Sequence, residues 1–317
     1  MTAEFVLELG MPHLGRNNLS ECSLFKAIGN DRWKQIQDEG KVPSALIQDD
    51  NGSRLYATFF FLEVHFTPDH PLSAHGENET MRFVTDLSHY GMVHLDGKHR
   101  LADDPEFWVR SSNVFIYQER GPSKLSMSLP ANMDFSTIPE LETQPDSLAL
   151  CRIARRDGKF FEPETGDVDV YEGEHVFHYA FDQDRDMNGA GLIYFANFIA
   201  ILDAAERGVL SKLPAPPPLS AIDARSPYRR RIGYYGNAPA TDSLNIFVRT
   251  RVRALPSAQF GQLLDFGFDY RIRRVSDEKE IVVSSSRKVS PMEPGSAEEA
   301  WFNSISRQAS SAPARDT

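Results

Sequence analysis

The chain carries the same strand, turn and helix pattern twice, and this repetition limits its folds more than any other feature. Residues Glu4 to Ile28 align without a gap on His178 to Leu202, a separation of 174 residues. Phe5 falls on Tyr179, Leu7 on Phe181, Gly15 on Gly189, Leu19 on Ile193, Leu24 on Phe198, Phe25 on Ile199 and Ile28 on Leu202. Alternation before the glycine is that of a strand, and the three-and-four spacing after it is that of a helix. Two copies of one small α+β unit account for both halves.

In the first copy a helix is predicted from Asn18 to Gln37, with Asn18 and Glu21 as a capping pair. A strand follows over Leu55 to Phe66, then a turn at Ser73 to Asn78, and further strands over Met81 to Leu95 with Asp96-Gly97 as a hairpin signal. The second copy offers a strand over His175 to Phe181, a helix over Leu192 to Arg207, and strands over Leu244 to Leu255, Gln262 to Val275 and Ile281 to Val289. Leu55-Tyr-Ala-Thr then falls opposite Leu244-Asn-Ile-Phe, so Tyr56 corresponds to Asn245. The Pro-, Ser- and Thr-rich stretch Pro122 to Pro145 separates a domain over 1–145 from one over 146–295. The prolines of Leu213 to Pro218 predict a stiff surface connection, and the Ser-, Ala- and Arg-rich residues 296–317 predict a disordered tail.

A formal net charge of −11 argues against general nucleic-acid binding, which needs a basic surface. No apolar run is long enough to span a bilayer and no secretory leader is recognisable, so the expected location is cytoplasmic. Two cysteines, Cys22 and Cys151, match neither a disulfide framework nor a zinc spacing. Cys22 lies in the apolar half of a helix pattern, where it reads as packing.

One helix wrapped by an antiparallel sheet resembles the hotdog fold, and two copies resemble a double hotdog. The segment Asp184-Arg-Asp-Met-Asn-Gly-Ala-Gly-Leu-Ile-Tyr-Phe-Ala-Asn-Phe198 looks like the loop-to-helix motif of acyl-CoA thioesterases. More of the chain resembles the bifunctional acyltransferase/decarboxylases of polyketide biosynthesis, of the leinamycin-pathway type. The matching pieces are Gly10-Met-Pro-His-Leu-Gly15, Leu19-Ser-Glu21, Gly29 with Trp33, Arg54-Leu-Tyr-Ala57 and Tyr234-Tyr-Gly-Asn237. The resemblance implies that the acyl group of methylmalonyl-CoA loses its carboxylate and is delivered as propionyl to an acyl carrier protein. It implies no cofactor beyond the CoA thioester itself, and no metal.

Decarboxylating a malonyl-type thioester creates an enolate, so the site must present hydrogen-bond donors to the thioester oxygen. A helix N-terminus offers these, and the loop with Leu14, Gly15, Asn18, Ser20 and Glu21 leads into one. A tyrosine in the Arg-Leu-Tyr-Ala strand is implicated in acyl transfer by the resemblance, which singles out Tyr56. Alternation puts Tyr56, Thr58 and Phe60 on one strand face. Tyr56 either accepts the acyl group as an aryl ester or donates a hydrogen bond that orients carboxylate or enolate; both roles stay open. His13 and His75 sit in turns as further donors or as structural histidines. Ser20 and Glu21 serve as helix-start residues, site residues or both. Arg229-Arg230-Arg231 reads either as a contact for CoA phosphates or an acidic carrier protein, or as a solvated strand edge. Two other readings remain. In a hotdog thioesterase or dehydratase, Asp184 or Asp186 would activate water; a non-catalytic protein would only bind acyl-CoA. A homodimer of the chain is compatible with all three.

Overall fold

A computed structural model describes residues 2–119 and 124–311. Pro122 and Ser123 of the expected boundary segment, and residues 312–317 of the expected tail, lie outside the described residues. The first half runs β1 (Thr2–Glu8), α1 (Glu21–Gly40), β2 (Tyr56–His65), β3 (Thr80–Asp86), β4 (His94–Leu101) and β5 (Trp108–Gln118). After α2 (Asp146–Asp157) the second half runs β6 (His175–Ala180), α3 (Asn197–Leu210), β7 (Ser226–Tyr234), β8 (Ser243–Ser257), β9 (Gly261–Arg274) and β10 (Glu280–Pro291). α4 (Ala297–Ser311) follows.

These ten strands pair antiparallel in one continuous sheet, in the order β1-β3-β4-β5-β2-β7-β10-β9-β8-β6. Read outward from the β2–β7 seam, the two halves have the same order: second, fifth, fourth, third and first strand of the unit. This is a double hotdog, with an internal pseudo-two-fold axis at the seam. There Arg229 pairs with His65 and Gly233 with Phe61, and the Arg231 Nε donates to Glu63 at 2.7 Å.

Both long helices lie on one face of the sheet because their apolar stripes must leave water. Leu24, Phe25 and Ile28 of α1 and Phe198, Ile199 and Leu202 of α3 are all buried in one shared core. The 174-residue overlay therefore marks equivalent positions. α1 closely approaches the loop ahead of α3 at Gly29, where a Cβ would meet the Phe195 ring.

Several expectations need correction. α1 begins at Glu21, capped by the Ser20 hydroxyl, which accepts from the Ser23 N–H at 3.4 Å; Asn18 instead occupies a left-handed turn position at φ 57°. Asp96-Gly97 is no hairpin but the middle of β4; the chain turns earlier, at Gly91-Met92, both with positive φ. Gly97 is glycine because a Cβ there would collide with the Asp86 carbonyl and come 2.6 Å from Arg32 Nη2. The second helix starts at Asn197, and Leu192-Ile193 belong to the loop before it. Residues 297–311 of the expected disordered tail form α4, whose Trp301 and Ile305 are one turn apart and both buried. The counterpart of β2 is β7, not the strand beginning near Leu244, so Tyr56 does not correspond to Asn245.

Candidate functional site

The pseudo-two-fold places two cavities at equivalent positions, each built from both halves. The larger space consists of two adjoining chambers of about 680 and 470 Å³ that share Thr58, Ile116, Asn188 and Leu192. Tyr56, with Arg54, Trp33 and Lys34, lines the first chamber; Phe60, His94, Cys151 and Arg152 line the second. The 188–194 loop ahead of α3 closes the space from the second half. The opposite cavity, of about 400 Å³, is lined by Gly15, Asn18 and Ser20 ahead of α1 and Glu21 at its first position, by Asp203 and Arg207 of α3, and by Arg225 and Ser226 at the start of β7.

Tyr56 and the Gly15–Glu21 loop were expected to share one site, and the fold separates them. Glu21 lies at the first turn of α1 while Trp33 lies twelve residues further on, roughly 18 Å along the axis. Each strand faces the loop of the other half. The peptide N–H groups near Tyr56 are therefore those of the 188–192 loop. In it the Asn188 Oδ1 accepts from the N–H groups of Ala190 at 2.9 Å and Leu192 at 3.2 Å, which fixes the turn. Among the described residues the Gly189 N–H makes no hydrogen bond and is available at the chamber wall. Asn237 secures the far side of the loop, its amide exchanging hydrogen bonds with the Ile193 N–H at 2.8 Å and carbonyl at 3.0 Å.

Tyr56, Thr58 and Phe60 succeed one another along β2, the first at one chamber, the second shared and the third at the other. The Arg54 guanidinium lies 4.7 Å from the centroid of the Tyr56 ring. The Trp33 indole N–H donates to the Ala57 carbonyl at 2.8 Å and holds the strand against α1. His94 packs edge-on against Phe60, ring centroids 5.6 Å apart, and its buried Nδ1 has no hydrogen-bond partner. Burial pushes its imidazole below the ordinary histidine value, which keeps it neutral near pH 7. Burial pushes the Cys151 thiol up to about 12, so it is no nucleophile. Among the described residues no aspartate or glutamate lines either chamber, whereas Lys34 and Arg54 line the first and Arg152 and Arg155 the second.

The remaining expected site residues lie elsewhere. His13 sits in a 3-10 turn and accepts from the Gly10 N–H at 3.1 Å through Nδ1; neither it nor Leu14 lines any of these cavities. His75 is buried, bonded to Glu79 at 3.1 Å. The arginine run divides by alternation: Arg230 is fully buried, its Nε donating to Glu21 at 2.7 Å, while Arg229 and Arg231 face Phe161 on the other side of the sheet. With its side chain fully buried and bonded to Glu21, Arg230 is out of reach of a phosphate. Asp186 is buried and accepts from the Tyr179 hydroxyl at 2.8 Å, the Asp182 N–H at 3.0 Å and the Arg185 Nε at 2.9 Å. It holds the loop, and neither it nor exposed Asp184 lines the chambers. Lys34, His94, Arg152 and Arg155 escaped the sequence reading, because only the tertiary fold gathers them. Asn188 was legible as part of the thioesterase-like loop motif over 184–198.

The sequence matches no protein-family model and no curated protein. Solved structures of similar fold include a protein described as an oleoyl thioesterase from Lactobacillus plantarum, at 11% identity over 93% of this chain and 97% of that one, TM-score 0.58. An acyl-ACP thioesterase from Bacteroides thetaiotaomicron is 11% identical over 90% of this chain and 97% of its own, TM-score 0.53. The 12:0-ACP thioesterase of Umbellularia californica is 11% identical, with 92% and 94% covered and a TM-score of 0.51. At such identity the likeness is one of fold, and the chain has the double hotdog fold of these proteins.

Proposed function

We propose that the protein is an acyltransferase/decarboxylase that takes a malonyl-type acyl group from CoA, methylmalonyl-CoA foremost, and delivers the decarboxylated acyl group to an acyl carrier protein. The observation that carries this reading is the lining of the linked chambers: it includes the Tyr56 and Thr58 hydroxyls and four cations, and among the described residues no carboxylate. Such a lining attracts an anionic thioester and supplies no acid residue to activate water. The thioesterases of similar fold are described as acting on carrier-bound acyl groups, which supports a thioester substrate here. Water attack led by Asp184 or Asp186 has no comparable support, since Asp186 is committed to the loop.

In this reaction CO₂ leaves and its bonding electron pair becomes an enolate on the thioester, which takes a proton at carbon from solvent. The Gly189 N–H and the Tyr56 hydroxyl serve the enolate oxygen, where one preorganised donor is typically worth about 3 kcal/mol. Transfer then breaks the bond between the acyl carbon and the CoA sulfur. A bond forms to the Tyr56 oxygen or directly to the carrier thiol, and the proton displaced from that O–H or S–H passes to the departing sulfur. From a Tyr56 ester the carrier thiol takes the acyl group and returns its proton to the phenol.

Intact-protein mass spectrometry of a holo acyl carrier protein incubated with methylmalonyl-CoA tests this. A propionyl mass on the carrier that Tyr56→Phe abolishes is the expected result. Free CoA over an unmodified carrier would turn the reading into hydrolysis, and binding without turnover would leave an acyl-CoA-binding protein.

A further inference from the structure

Lys34, Arg54, Arg152 and Arg155, the cations that line the linked chambers, have one property in common. With 45 acidic against 34 basic residues, the chain has acid to spare, and Arg16, Arg100, Arg110, Arg207, Arg230 and Arg231 each have a carboxylate within 4 Å. Among the described residues the four chamber cations have none. All four are exposed, and they divide between the chambers: Lys34 and Arg54 at one, Arg152 and Arg155 at the other. Between them run Tyr56, Thr58 and Phe60, a path of roughly 13 Å along β2.

Building on the acyl-transfer reading, we infer that the linked cavity is loaded from both ends, acyl-CoA through the Lys34–Arg54 chamber and the carrier protein through the Arg152–Arg155 chamber. The ends differ in shape. At the first, the two cations flank a recess between α1 and the 188–190 loop, a fit for a nucleotide's phosphates rather than a protein face. At the second, α2 presents exposed Arg152, Ile153 and Arg155, and Met127 beside the chamber is 65% exposed. A cationic helix face with exposed apolar side chains complements an acidic carrier helix, and the chamber behind it receives the carrier's thiol arm. Both sulfurs then reach the acyl carbon near Tyr56 and Thr58 from opposite sides. The acyl–sulfur bond to CoA breaks as the bond to the carrier sulfur forms, directly or through Tyr56, and the carrier thiol's proton leaves on CoA.

Steady-state transfer with each substrate varied in turn tests the assignment on the full chain. Arg152→Glu with Arg155→Glu raises the KM for the carrier about tenfold or more and leaves that for acyl-CoA in place; Lys34→Glu with Arg54→Glu does the reverse. Both pairs raising the KM of the same substrate would overturn it. Titration of unacylated CoA by calorimetry supplies a readout that needs no turnover. CoA binding lost in the Lys34/Arg54 variant and kept in the Arg152/Arg155 variant supports the entrance assignment even if wild type transfers nothing, a result that would sink only the acyl-transfer reading. CoA binding lost instead in the Arg152/Arg155 variant overturns the inference. Circular dichroism of each variant separates lost binding from lost folding.

Discussion

Glu21 at the first turn of α1 accepts a hydrogen bond from Arg230 of β7 at 2.7 Å, which ties the helix of one half to the seam strand of the other. Arg230 is fully buried and Glu21 nearly so. Removing one partner strands a charge in the core, so Glu21→Ala costs about 3–5 kcal/mol in urea unfolding. Replacing both by methionine costs markedly less. Equal losses for the single and double variants would show that the pair does not act as a unit.

The same cluster sets an acid limit on stability. Burial opposes ionisation of Glu206, but Lys288, Arg225 and Arg230 outweigh it and hold the carboxyl at about 2. A folded value below the ordinary 4.5 gives stabilisation that is present above the ordinary value and lost as the pH falls towards 2. Glu21 contributes with the opposite sign: burial raises its carboxyl, so its contribution is complete in acid and fades as the pH rises through the folded value. The Tm difference between wild type and Glu206→Gln is therefore widest above about pH 5 and closes near 2. A gap independent of pH would count against this origin.

Gly97 faces the Arg32 guanidinium, whose Nη1 donates to the Asp86 carbonyl at 2.7 Å and Nε to Ser111 at 3.1 Å. A methyl group here has nowhere to go. Gly97→Ala is expected to cost about 3 kcal/mol in chemical denaturation, through overpacking against a buried charge. A cost under 1 kcal/mol would mean that Arg32 readily finds another place.

The apolar part of the fold was legible because burial writes periodicity into sequence. Leu24, Phe25 and Ile28 announce their face as plainly as Phe198, Ile199 and Leu202 do. Where a residue type has several causes, sequence misled. Gly97 looked like a turn and is a strand position that accommodates Arg32; Arg229 to Arg231 looked like one patch and are split by the pleat. Trp301 and Ile305 did carry a helical signal, which the polar composition around them obscured. Tyr56 lines a chamber, but its surroundings were assigned to the wrong half, since no spacing along the chain reveals that each strand faces the other copy's loop.

Asp186 separates positioning from chemistry. Asp186→Asn weakens the hold on Tyr179 and the 188–194 loop, and is expected to lower Tm by several degrees and acyl transfer in proportion. Asp184→Asn, on an exposed side chain outside the chambers, leaves both in place. Loss of thioester cleavage in Asp184→Asn with Tm unchanged would restore the hydrolytic reading.

The thiols report on the core. With Cys151 held up to about 12 against an ordinary 9.0, its reactive thiolate at pH 8 is about a thousandfold scarcer than that of a free cysteine. Alkylation of Cys151 in the folded protein is expected to be negligible over minutes and complete in denaturant. Rapid native labelling would place that chamber wall in open exchange with solvent.

The β2–β7 seam has a further consequence, for how the two cavities came to differ. In a symmetric pair of identical chains every substitution is made twice, so a cation gained at one recess appears at the other. Joining the copies in one polypeptide removes that constraint. Among the described residues one recess holds unpaired cations and no acid, while its counterpart holds Glu21, Asp203 and the arginines that neutralise them. Covalent linkage lets one copy specialise while the other keeps the shared sheet intact.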